Sequence, residues 1–159
     1  MQPKPFPLLD IGVNLSHESF DHDRDDVVER ALQAGLQAMI LTGTSVEGSV
    51  QAAALAATQP GLLYSTAGVH PHEAANFGID TSARLHAILQ QPQVVAVGET
   101  GLDFFRDFSP RPLQEQAFAE QLTLAGQCGL PVFLHQRDAH ARFLPMLREQ
   151  RDQLCRGVV

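Results

Sequence analysis

Three short segments carry residues able to do chemistry. His70 and His72 flank a proline in Gly68-Val69-His70-Pro71-His72. Glu99 and Asp103 lie in Val97-Gly98-Glu99-Thr100-Gly101-Leu102-Asp103, and His135 closes Pro131-Val132-Phe133-Leu134-His135. Imidazole nitrogens and carboxylate oxygens are ligands for zinc, manganese and similar ions, and histidine also moves protons near neutral pH. A carboxylate directly after a buried β-branched run is costly unless it is paired or bound to a cation. For Glu99 an ion pair with Arg106 or Arg137 answers that cost as well as a metal does. His135, one strand further on, gives Glu99 a partner in ligation. Pro71 stiffens the turn around His70, whose ring is then held to meet a phosphate oxygen or to transfer a proton. His72 reads as a helix cap. His17, His22, His86 and His140 fall in loops or helices, where a solvated ring is expected.

These residues recur at the ends of apolar runs, and the runs alternate with helical patterns. Strands are predicted over residues 8–15, 38–44, 63–70, 94–98 and 132–135, with residues 157–159 opening a sixth. Helices are predicted over 21–35, 45–58, 81–91, 113–128 and 139–154. An acidic first turn in the first helix, Ser45 as a cap, and Gly35, Pro60-Gly61 and Gly129 as stops mark their ends. Continuous apolar strands alternating with amphipathic helices imply a parallel sheet covered by helices, an α/β fold. Asp10-Ile-Gly-Val-Asn14 after the first strand is no glycine-rich phosphate loop, which argues against a dinucleotide fold. Polar residues at five successive strand ends (Asp10 and Asn14, Thr42 and Thr44, His70 and His72, Glu99 and Asp103, His135 and Arg137-Asp138) suit a barrel, whose chemistry sits where strands finish.

The bulk properties set limits. At 159 residues the chain suits one domain, and 44% hydrophobic against 18% charged residues excludes a disordered polymer. Eleven Lys+Arg face 18 Asp+Glu, a formal charge of -7, and Lys4 is the only lysine. That excludes the extended basic face of a protein held to nucleic acid by many phosphates. Nucleic acid would instead be held locally, by metal ions and a few arginines. Cys128 and Cys155 form no close-spaced pair, as expected of semi-buried thiols in a reducing compartment. Residues 1–7 have prolines where a signal peptide has an apolar core, and no stretch nears membrane-spanning length. A cytoplasmic location with no membrane partner is the expectation.

With the segments assembled, the chain resembles the TatD deoxyribonucleases. The resemblance rests on Asp10-Ile-Gly-Val-Asn-Leu15, Thr42-Gly-Thr44, Ala67-Gly-Val-His-Pro-His72, Gly98-Glu-Thr-Gly-Leu-Asp-Phe104 and Pro131-Val-Phe-Leu-His-Gln-Arg-Asp-Ala139, and runs from about Leu8 to the last residue. It implies a (β/α)8 TIM barrel of the metal-dependent hydrolase type. It also implies a divalent ion (Mg2+, Mn2+ or Zn2+), and hydrolysis of DNA phosphodiesters, as a 3′–5′ exonuclease at single-stranded ends. By position, Glu99 and His135 would be the metal ligands. His70, Asp103 and Arg137 would form the catalytic set, and His70, His72 and Asn14 would contact substrate. Gly12 and Asn14 stand where many relatives carry a His-x-His pair, a pattern that matches the TatD branch. The family's later metal-binding histidine and its late aspartate belong to the sixth and eighth strands, beyond Val159.

The expectation is therefore a barrel of about five and a half strand-helix units lacking its C-terminal strands. Such a sheet is not an autonomous fold. It belongs to a longer polypeptide or is covered by another chain. The competing readings are an amide or ester hydrolase of the same superfamily, and an inactive fragment.

Overall fold

The computed structural model describes residues 8–159; the leading segment, read above as lacking a signal core, lies outside the described residues. Six strands, β1 (Leu8–Val13), β2 (Leu36–Leu41), β3 (Leu63–Ala67), β4 (Val94–Asp103), β5 (Val132–Arg137) and β6 (Gly157–Val158), form a single sheet. Five helices alternate with them: α1 (Arg24–Gln33), α2 (Val46–Ala56), α3 (Thr81–Leu89), α4 (Arg111–Cys128) and α5 (His140–Gln150).

Local chemistry explains most boundaries. Ser45 caps α2, its hydroxyl accepting from the Gly48 N–H at 3.0 Å. Gly129, at φ 64°, ends α4 in the left-handed conformation that lets the Leu130 N–H return to the Ala125 carbonyl at 3.2 Å. The first helix starts three residues later than its acidic pattern suggests. Asp21 instead closes a short 3-10 turn, its N–H bonded to the Glu18 carbonyl at 3.0 Å, and its side chain pairs with Arg24.

Every adjacent strand pair is parallel, and the spatial order is the chain order, β1-β2-β3-β4-β5-β6. A doubly wound sheet reverses its strand order at a switch point. Here no reversal occurs, so the sheet is a run of barrel wall. One apolar cluster packs β3, β4 and β5 against α3, α4 and α5, with Phe118 stacked on Phe143 at 5.1 Å between ring centres. A second, around Leu15, Val28, Met39, Leu41 and Leu63, holds β1 and β2 to α1 and α2. The opposite face of the sheet is an open apolar hollow lined by Ile11, Ile40, Ala96, Phe133 and Val158. Cys128 is half-buried, but Cys155 is exposed rather than semi-buried; both are free thiols.

One difference from the expected elements matters for the site. β4 runs ten residues, through Asp103, and β5 continues to Arg137. Glu99 therefore lies inside a strand rather than just after one. Between Val97 and Thr100 the strand advances three residues while its partner advances two, from Val132 to Leu134. That one-residue bulge re-aims the Glu99 side chain.

Candidate metal and phosphate site

β3, β4 and β5 are neighbours, so their C-terminal ends deliver His70, Glu99, Asp103 and His135 to one place. His70 follows β3 and opens a short 3-10 turn (Pro71–Asn76), and its N–H bonds the Thr44 carbonyl at 2.8 Å. The Glu99 N–H is tied to the Gly43 carbonyl at 2.7 Å. His135 lies beside Gly101, and a Cβ on Gly101, whose φ is 151°, would overlap the His135 carbonyl oxygen. Only glycine admits that approach of the two strands.

The side chains form a connected set. Glu99 Oε1 is 3.1 Å from His135 Nδ1 and 3.9 Å from His70 Nε2. His135 Nε2 is 3.3 Å from Asp103 Oδ2, which also takes His72 Nε2 at 2.7 Å. His70, Glu99 and His135 offer ligand atoms within 4.8 Å of one another. One carboxylate with imidazoles is a donor set that fits a divalent cation. The His72 N–H donates to His70 Nδ1 at 3.2 Å. A neutral His70 with that bond carries its proton on Nε2, the nitrogen facing Glu99, and so presents a donor rather than a lone pair.

Burial and charge set the protonation states. Burial holds the His70 imidazole down to about 4, opposed by Glu99 and reinforced by His135 and His72. Burial alone would raise Glu99, but the His135 hydrogen bond and the charges of His70 and His135 outweigh it and leave the carboxyl below its ordinary value. His135 is raised, chiefly by its bond to Glu99. Asp103 is almost fully buried. That burial would raise it, yet hydrogen bonds from the Arg106 N–H, from His72 and from the Phe105 N–H hold it at about 2. At neutral pH the site therefore combines two carboxylates with a neutral His70 and a His135 that readily takes a proton.

Of the residues expected from sequence, the structure brings together His70, His72, Glu99, Asp103 and His135. Glu99 pairs with histidines, and neither Arg106 nor Arg137 is its partner among the described residues. The capping assignment is reversed: His70, whose ring nitrogen lies against the following N–H, is the cap, while His72 reaches Asp103. Arg137 lies over the Phe105 ring, its guanidinium carbon 4.0 Å from the ring centre, outside the cluster. Asn14 is exposed at the end of β1 on the sheet edge, and no bond joins its side chain to the cluster among the described residues.

Sequence reasoning passed over two fully buried glutamines of α4. Gln121 accepts from the Val69 N–H at 2.7 Å and donates to the Val69 carbonyl at 3.0 Å, holding the chain just before His70. Gln114 does the same for Asp103, accepting from its N–H at 2.9 Å and donating to its carbonyl at 3.2 Å. Their seven-residue spacing, in line with Ala117, Phe118 and Leu122, put them on the buried face and was the available signal.

Comparison with known proteins finds relatives in sequence and in fold. A 3'-5' ssDNA/RNA exonuclease TatD of Cronobacter turicensis is 52% identical over 152 residues, covering 96% of this chain and 57% of the relative. The protein of the same description from Edwardsiella piscicida is 54% identical over 141 residues, covering 89% of this chain and 54% of the relative. The chain thus spans a little over half the length of these relatives. Among solved structures, a TatD homolog of Escherichia coli k12 superposes with a TM-score of 0.82 at 32% identity, over 90% of this chain and 56% of that one. A hydrolase TatD family protein from Entamoeba histolytica gives 0.83 at 26% identity, over 96% and 57%. The family described as TatD related DNase matches residues 9–159, essentially everything that builds the sheet and the site, and the chain belongs to that family.

Proposed function

We propose that this chain supplies the β1–β6 wall of a metal-dependent phosphodiesterase that acts at the 3′ ends of single-stranded nucleic acid. The observation that carries the reading is the convergence of His70, Glu99 and His135 at the C-terminal end of a parallel barrel wall. Glu99 and His135 are assigned as cation ligands. A divalent ion there would supply Lewis acidity toward a phosphoryl oxygen and a lowered pKa for an attacking water. The neutral His70 directs its Nε2–H at an oxygen of the scissile phosphate and offsets charge that develops on it. Asp103 is a positioning residue. One of its oxygens holds both His72 and His135, and the other accepts from the N–H groups of Phe105 and Arg106 at 3.1 and 2.8 Å. Arg137 and His72 border the site toward substrate, and the exposed Asn14 is retained as a substrate contact at the barrel rim.

In this reading the open edges at β1 and β6 are closed by further polypeptide, which completes both the barrel and the ligand shell, and the protein works in the cytoplasm. No helix among the described residues is long and apolar enough to cross a membrane. The test uses the longest in-frame polypeptide that carries these residues. Labelled single-stranded DNA and RNA are incubated with Mg2+, Mn2+, Zn2+ or EDTA, beside a panel of amide and ester substrates. Shortening from the 3′ end that EDTA abolishes supports the assignment. Turnover of an amide or ester with intact oligonucleotides would overturn it.

A further inference from the structure

Directly after Asp103 the chain makes a turn that leaves two phenyl rings in solvent: Phe105 is 57% exposed and Phe108 65%. The turn is well anchored. Asp103 accepts from the Phe105 and Arg106 N–H groups, the Phe104 N–H reaches the Arg137 carbonyl at 2.9 Å, and the Ser109 hydroxyl donates to the His72 carbonyl at 2.8 Å. Each ring has a cation on it. The Arg137 guanidinium carbon is 4.0 Å from the Phe105 centre, and that of Arg106 is 6.0 and 5.9 Å from Phe105 and Phe108. Arg106 and Arg137 are exposed, and among the described residues neither forms an ion pair. Phe108 also packs edge-on against His72 at 4.7 Å, so the platform is one ring away from the Asp103–His135 pair.

Exposed aromatics backed by unpaired guanidiniums, beside phosphate chemistry, match how single strands are held: bases stack on the rings and cations meet the backbone. On a chain of net charge -7 this is a local positive feature and not a basic face. We propose that Phe105 and Phe108 are a stacking platform for a nucleobase adjoining the scissile phosphate, with Arg106 and Arg137 contacting phosphate oxygens. The proposal deepens the nucleic-acid reading above and rests on it.

These 159 residues contain no tryptophan, and Phe105→Trp places a reporter on the platform whose signal is read as the difference from the unsubstituted polypeptide. In the longest in-frame polypeptide, without metal and with EDTA, the variant is titrated with an oligothymidylate and with an abasic oligomer of equal length. The expected result is saturable quenching by the first and none by the second. Phe105→Leu should weaken oligothymidylate binding on the order of tenfold and leave abasic binding unchanged. An unaltered thermal transition in Phe105→Leu excludes misfolding as the cause. Equal binding of both oligomers, unchanged oligothymidylate affinity in Phe105→Leu, or a Phe105→Trp fluorescence signal that neither oligomer moves overturns the platform, even where metal-dependent cleavage persists. Base-dependent binding without any cleavage would uphold the platform and sink the hydrolytic reading alone.

Discussion

At the scale of single residues, the site depends on charges that neutralise one another within a few ångströms. Glu99 is the one carboxylate among the three groups whose ligand atoms lie within 4.8 Å of one another. Glu99→Gln keeps the shape and removes the charge. In the longest in-frame polypeptide it should lower metal-dependent cleavage by about a hundredfold or more, with weaker cation binding by calorimetry and an unchanged thermal transition. Wild-type rates at saturating metal would refute the ligand role.

The protonation states make a second residue-scale prediction, for the metal-free protein. His70, held at about 4, resists a proton that the unfolded chain accepts near 6.5, so it subtracts stability as pH falls across that interval. Asp103, held at about 2, adds stability that is full above its ordinary value of 3.8 and lost as pH falls toward 2. His135 works in the other direction: its raised value contributes stability below 6.5 that fades as pH rises through the raised value. Ring-proton NMR in chelator should show His70 neutral at pH 5 and His135 more than half protonated at pH 6.5. A His70 resonance titrating near 6.5 would contradict the burial argument.

At the scale of elements, α4 sets the site as firmly as the strands do. Gln121 and Gln114 pair the backbone of Val69 and Asp103 through oxygen and nitrogen alike. Gln121→Leu keeps roughly the volume and strands a buried N–H and C=O. The cost should be about 1–3 kcal/mol per group in urea unfolding, with cleavage lowered through a misplaced His70. Gln121→Glu, which can still accept from the Val69 N–H, should recover part of the loss. A fully stable Gln121→Leu would show that the strand end holds itself. Gly101→Ala should be worse, because the new methyl meets the β5 backbone and not a flexible side chain.

At the scale of the whole molecule, β1 and β6 are unpaired on their outer sides among the described residues, and Leu8, Leu9, Ile11 and Val158 are exposed along them. Open apolar edges invite pairing with another chain. The 159-residue chain expressed by itself should therefore sediment as associated species and unfold without a sharp transition; a cooperative monomer would contradict this. Charge gives the other molecular prediction. With two arginines meeting phosphates, the dependence of log K for single-stranded DNA on log salt should have a slope of roughly −1.4. A much steeper slope would require a basic surface that an acidic chain does not offer.

The alternation of apolar runs and amphipathic helices made the parallel α/β wall legible in the sequence, because burial on both sheet faces leaves unbroken apolar strands. Glu99, His135 and His70 were legible as candidate site residues for a related reason: a polar group at the end of a buried run needs a partner. Their common destination was not, since it depends on strand order, and only the sheet put β3, β4 and β5 side by side. The partners were equally hidden. Glu99 could have met an arginine, and the one-residue bulge between Val97 and Thr100 turned it to His135 instead. Which histidine capped the turn after β3 rested on the path of residues 68–72, where a ring nitrogen lies against an N–H two residues on. Gln114 and Gln121 read as ordinary helix positions until the tertiary structure set them against the buried N–H groups of Asp103 and Val69. Local pattern determined the elements, since periodicity and capping act within a few residues. Pairing between groups as far apart in the chain as Glu99 and His135, or Val69 and Gln121, is a property of packing, and it decided the site.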